Sequence, residues 1–218
     1  MLIYALFLGV GVGRNLEFCQ KLPKRIKELM KRLILAGEEK GQEYMFIIYS
    51  DLSTSDVFVG EGGIVQAPGD IGALFTNCLA TFHNHHSYDG LLHSAFSTLD
   101  IEEDVEEGCR YSCIGFLKDG KPYLRCLEPP SDPDIYKDFI EEHQRVATEI
   151  ISAFQRLEKL AEESGLKDAK RKPLEDILRW SRKKMPKETN QIIKELERLN
   201  EKKRAIEEDF AEVCEIPL

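Results

Sequence analysis

An α+β head followed by a helical, coiled-coil-like tail is the architecture expected of this 218-residue chain, and three features point to it. Up to residue 130, glycine-punctuated β-type runs alternate with short helical stretches. Beyond it there is one glycine, Gly165, and apolar residues recur at helical spacing. Between the two patterns Pro129, Pro130, Ser131, Asp132 and Pro133 interrupt the chain, which places a head at residues 1–130 and a tail at 131–218. A hydrophobic content of 42% suffices for a buried core.

In the head, the apolar run Leu2 to Val12 reads as a buried strand, being too short for a spanning helix and lacking a basic segment before it. Leu22 to Leu35 reads as a helix, since Leu22, Ile26, Leu29, Met30 and Leu33 share one face. Strands are expected at Glu43 to Tyr49, Val57 to Val59, Ile64 to Val65 and Leu79 to His83, with a short helix at Ile71 to Asn77. A loop carries His85 to Phe96, and Thr98 to Glu107 is expected to be helical. Ser112 to Leu117 and Pro122 to Cys126 flank Lys118-Asp119-Gly120-Lys121, in which Asp-Gly is a strong hairpin signal.

The tail opens on Asp132 as helix cap with Pro133 behind it. Ile135, Phe139, Val146, Ile150, Phe154, Leu157 and Leu160 then keep one seam for about thirty residues, or ~45 Å of helix. Leu174 to Met185 is a shorter helix ended by Pro186, and Ile192, Leu196, Leu199, Ile206, Phe210 and Val213 form a last seam. These seams suit an intrachain bundle, or alternatively an arm for a homodimer or protein partner.

The formal charge of −9 argues against a nucleic-acid binder that needs a basic footprint, and no segment suggests membrane insertion. Six dispersed cysteines without a CxxC pair suggest a cytoplasmic, mostly reduced protein. Cys109, Cys113 and Cys126 are small buried residues or, alternatively, a second metal site. The basic stretch Lys167 to Lys187 is a solvated helix surface or a dock for an acidic partner.

The most improbable local feature is four histidines, His83, His85, His86 and His93, within eleven residues. His83 and His85, two apart at a strand end, point to the same side, as two metal ligands would. No lysine or arginine occurs between Lys40 and Arg110, while twelve acids lie from Glu43 to Glu107, so the region favours a cation. Imidazole with carboxylate suits Zn²⁺. Asp100, in Ser97-Thr98-Leu99-Asp100, either closes a capping box with Ser97 or serves as third ligand with the Ser97 hydroxyl beside the open position. Glu43 lies at the mouth of the apolar run Tyr44 to Tyr49, where partial desolvation is expected to raise its pKa.

Glu43, His83-Asn84-His85 and Ser97-Thr98-Leu99-Asp100 together resemble the signature of the JAMM (MPN) metalloprotease family, over residues 1–128. Eleven residues separate His85 from Ser97 where the family pattern usually has seven, and His86 stands where a proline usually follows. The resemblance implies a mixed sheet with flanking helices, Zn²⁺ held by His83, His85 and Asp100, Glu43 as general base, with Glu38, Glu39 and Glu61 as nearby alternatives, and Ser97 as oxyanion stabiliser. The activity it implies is hydrolysis of isopeptide or peptide bonds, with a ubiquitin-like or small-modifier conjugate as protein substrate. A JAMM-like head kept as a non-catalytic assembly module is the alternative. His83 to Gly90 also resembles the opening of the polymerase-histidinol-phosphatase class of metal phosphoesterases. Only His143 follows His93, however, and no cation lies near to hold a phosphate. Gly9, Gly11 and Gly13 match a dinucleotide fingerprint only in part.

Overall fold

The computed structural model describes residues 16–60, 71–85, 94–172 and 174–218. The expected strands Leu2 to Val12 and Ile64 to Val65, Gly9, Gly11 and Gly13, Glu61, and the loop histidines His86 and His93 lie outside the described residues.

A one-turn helix α1 (Phe18–Lys21) leads into α2 (Lys24–Lys40), which stops where Gly41 turns left-handed at φ 62° and returns its N–H to the Gly37 carbonyl. Strands β1 (Tyr44–Tyr49) and β2 (Phe58–Val59), the short helix α3 (Ile71–Leu74), strand β3 (Cys78–Asn84), helix α4 (Thr98–Glu106), and strands β4 (Tyr111–Lys118) and β5 (Lys121–Glu128) complete the head. The β4–β5 hairpin turns at Asp119 and Gly120, whose φ values of 52° and 71° are those the Asp-Gly pair supplies readily. The tail is α5 (Pro133–Glu163), a 3-10 turn, α6 (Leu174–Lys184), α7 (Pro186–Phe210) and a strand β6 (Glu212–Pro217). At the start of α5, Asp132 accepts hydrogen bonds from the Asp134 and Ile135 amides.

Among the described residues the strands form a six-stranded sheet in the order β2-β1-β3-β4-β5-β6. Its single parallel pair, β3 and β4, is joined through the crossover that contains α4, and the other pairs are antiparallel. Alternation along each strand sorts the core into two layers. Ile26, Met30 and Ile34 of α2 pack on Phe46, Ile48, Ala80, Phe82, Cys113 and Leu124. On the opposite face Phe96 and Ile101 pack with Ile114, Phe116, Leu127 and Phe139, so α4 and the start of α5 cover that side. The helices of the tail bury Val146, Ala153, Leu157, Leu178, Leu196 and Leu199 among themselves, the intrachain arrangement. No described helix is long and apolar enough to cross a membrane.

Two expectations are corrected. Val213, assigned above to the last helical seam, belongs to β6, which pairs with β5 in the register Cys126↔Cys214 and returns the end of the chain to the sheet of the head. A six-residue segment straight after a helix carries too little alternation to reveal itself. The cysteines are not free thiols: Cys19–Cys214, Cys78–Cys109 and Cys113–Cys126 are disulfides. Cys109, Cys113 and Cys126 therefore do not form one ligand set. Instead Cys113, Cys126 and Cys214 lie abreast on three neighbouring strands, with Cys19 above them, an arrangement that only strand pairing creates.

Candidate metal centre

Since Ala80 and Phe82 of β3 pack toward α2, Thr81, His83 and then His85 fall on the opposite face. The His85 amide donates to the Gly115 carbonyl at 2.8 Å, extending the β3–β4 pairing past the strand end. Ser97 caps α4: its Oγ accepts from the Asp100 amide at 3.0 Å, while Asp100 Oδ2 accepts from the Ser97 amide at 3.0 Å. The two readings of Asp100 are thus compatible, because the same Oδ2 lies 3.5 Å from His83 Nε2. His83 Nε2 also lies 2.9 Å from His85 Nε2. One ligand atom from each of His83, His85 and Asp100 falls within 4.8 Å of the others.

This trio fits a metal ion on its donor chemistry and spacing. Ligands in a tetrahedral zinc shell stand roughly 3.3–3.5 Å apart, and the separations of His83 Nε2 from its two neighbours, 2.9 and 3.5 Å, lie close to that spacing. A ring nitrogen carries at most one proton, so His83 Nε2 cannot donate fully to both neighbours, and a central cation would satisfy all three groups at once. Burial alone would lower the His83 imidazolium pKa, but Asp100, Glu43 and Asp104 outweigh it and raise it to about 9. Burial would likewise raise Asp100, yet His83, His85 and Ser97 hold it well below the usual carboxylate range. Both shifts favour a positive charge beside Asp100.

Glu43 reaches the same face by register. Met45 opposes His83 across the antiparallel pair β1 and β3, so Glu43, two residues before Met45, and His85, two residues after His83, lie toward the same end of the pair. Burial, offset by His83 and reinforced by Asp100, pushes the Glu43 carboxyl up to about 7. Its backbone is clamped from both sides by buried Asn84, whose Oδ1 accepts from the Tyr44 amide at 2.7 Å and whose Nδ2 donates to the Gln42 carbonyl at 3.1 Å. Gly37 makes room for this clamp: a Cβ there would stand 2.1 Å from Asn84 Nδ2.

Several residues around the cluster escaped sequence reasoning. Asp104, one turn beyond Asp100, accepts from Thr81 Oγ1 at 2.7 Å, and burial raises its carboxyl to about 7. The tail also reaches the site. Thr98 Oγ1 lies 2.9 Å from His143 Nδ1, and His143 Nε2 lies 3.4 Å from Glu207 Oε1. His143, Arg125 and Lys203 outweigh burial and keep Glu207 ionised, so Glu207 only accepts. The His143 proton therefore sits on Nε2, and Thr98 donates to Nδ1. Glu207 Oε1 also accepts from the Phe96 amide at 3.0 Å, and Oε2 accepts from Arg125 Nε and Nη2 at 3.1 and 3.0 Å. The available signal was polar residues on apolar seams, His143 between Phe139 and Val146, and Lys203 and Glu207 between Leu199 and Phe210.

Comparison with protein-family models, with curated proteins and with solved structures gave no match.

Proposed function

We propose that the chain is a zinc-dependent hydrolase of isopeptide or peptide bonds, similar in its site to the JAMM metalloproteases and acting on a ubiquitin-like or small-modifier conjugate. The observation that carries this reading is the convergence of His83 Nε2, His85 Nε2 and an Asp100 oxygen within 4.8 Å of one another. Glu43 and Ser97 at its rim give the set its catalytic character. Three protein ligands leave one zinc coordination position open, the mark of catalytic rather than structural sites. Zn²⁺ bound by these residues would supply Lewis acidity, lowering the pKa of water and polarising a carbonyl.

The remaining steps belong to the chain. Glu43, with its carboxyl near neutrality, takes a proton from the attacking water and returns it to the departing amine, a task that needs a base titrating close to the working pH. Ser97 accepts from the Asp100 amide but keeps its hydroxyl proton, which it can donate to the developing oxyanion. Asp100 anchors both α4 and the cation site, so metal geometry and serine position are set together.

Glu43→Gln tests the reading. It leaves the trio intact, so the variant should bind zinc and fold as the parent does while losing cleavage of isopeptide-linked modifier substrates by ~10²–10⁴-fold, and Ser97→Ala should lose less. Full activity in Glu43→Gln would remove Glu43 from the mechanism, and a zinc-loaded parent with no cleavage would leave the head as an assembly module.

A further inference from the structure

A cleft of about 260 Å³ opens between α2 and the loop that follows β1, its walls formed by Arg25, Leu29 and Arg32 of the helix and by Leu52, Ser53 and Thr54 of the loop. It lies on the α2 side of the sheet, away from the face that carries His83, and at the opposite end of β1 from Glu43. Arg25 and Arg32 stand two helical turns apart and so share one face of α2. Arg25 Nη2 donates to the Leu52 carbonyl at 2.8 Å, which leaves most of its five N–H groups free. Arg32 has no hydrogen bond or ion pair among the described residues, and neither has the Thr54 hydroxyl. The loop is shaped in advance: Leu52 holds φ 64°, a left-handed conformation unfavourable for leucine, and its carbonyl is tied to Arg25 while its amide donates to the Tyr49 carbonyl at 2.8 Å. Asp51, the acid of this loop, accepts from the Ser53 amide at 2.8 Å and the Ser53 hydroxyl at 2.6 Å, and is not part of the cleft wall. Two guanidinium groups therefore border a cleft to which, among the described residues, no carboxylate contributes, and half-buried Leu29 and Leu52 give it an apolar side.

We propose that this cleft binds a small phosphate monoester, its dianion held by Arg25 and Arg32 with the Thr54 hydroxyl and the first carbons of its organic part laid against Leu29 and Leu52. A guanidinium fork matches phosphate oxygens two at a time. Two such forks with no carboxylate in the wall call for two negative charges, which a phosphate monoester, with its second pKa of about 6, carries near neutral pH and a single carboxylate does not. Clefts for drug-sized ligands run to roughly 300–1,000 Å³, so this smaller one suits a phosphate with an organic part about the size of one ring. Because Arg25 and Leu52 already fix the loop, binding does not have to order it first. The site is separate from the histidine cluster and stands whether or not the head is a hydrolase.

The test is isothermal titration calorimetry of the full chain at low salt with phenyl phosphate, inorganic phosphate and benzoate, in metal-free buffer because a bound cation would itself attract phosphate. Phenyl phosphate should saturate one site per chain and bind more tightly than either of the other two. Arg32→Gln, which removes a side chain with no partner to lose, should melt as the parent does and weaken phenyl phosphate at least tenfold. Arg25→Lys keeps the charge but loses the fork and should also weaken it; if that variant does not fold, Arg32→Gln decides alone. The His83→Ala/His85→Ala double variant should bind phenyl phosphate as the parent does. No saturable binding, or an Arg32→Gln chain that binds as tightly as the parent, overturns the site. Binding lost in the histidine double variant and kept in Arg32→Gln puts the anion at the histidines and overturns it as well. Benzoate binding as tightly as phenyl phosphate overturns the dianion assignment, and inorganic phosphate doing so overturns the role of the apolar side.

Discussion

Asn84 makes the position of Glu43 a property of the backbone, because one buried amide holds the residues on either side of it. Asn84→Ala should cost about 2–4 kcal/mol in chemical denaturation, since two hydrogen bonds go and two backbone groups lose partners. Gly37→Ala should cost about 1–3 kcal/mol by pushing its Cβ into the same amide. The titrating residues give a second prediction, with the sign fixed by their shifts. His83, Glu43 and Asp104 all have folded pKa values raised above their ordinary ones, to about 9, 7 and 7. Each contributes stability that is complete below its ordinary value and lost as pH rises through the raised one. The metal-free chain should therefore lose thermal stability from this cluster between about pH 4 and 9, and less steeply in Asp104→Asn. Zinc competes with the His83 proton, so its stabilisation should grow over the same range. Calorimetry with and without zinc checks both; a zinc effect that shrinks with rising pH would contradict the assignment. The histidine pair and Asp100 were legible because their spacing on a strand and a helix start is local. Asn84 was not, since its partners lie about forty residues away.

Among the elements, β6 and the disulfides carry the long-range order. Cys19–Cys214 closes a loop of 195 residues, and removing it should cost about 2–5 kcal/mol. The Cys19→Ser/Cys214→Ser double variant, unfolded in urea beside the parent, measures this, and equal midpoints would show that the bridge does not constrain the chain. Arg125 and Glu207 form a second tie, between β5 and α7, with both side chains buried. Arg125→Ala should cost about 3–5 kcal/mol because it strands a buried carboxylate. Helix periods, the Asp-Gly turn and the Asp132 cap were readable because each is decided within a turn or two of chain. The last strand and the cysteine pairing were hidden because they depend on which strands become neighbours, and six cysteines allow fifteen pairings.

At the level of the whole molecule, the sheet holds the histidines, α4 supplies the carboxylate, and the tail steadies α4 from behind through Thr98, His143 and Glu207. Head and tail were expected to divide at residue 130, but the sequence could not show that polar residues on the tail's seams hold the start of α4 or that its last strand re-enters the sheet. What unites these parts is the proposed cation among His83, His85 and Asp100. The most direct test is the metal content of the full chain purified without added metal, read by inductively coupled plasma mass spectrometry beside the His83→Ala/His85→Ala double variant. The account predicts close to one zinc per chain in the parent and loss of it in a variant that stays folded. A parent that neither carries nor takes up zinc, or a double variant that keeps its full complement, would contradict it.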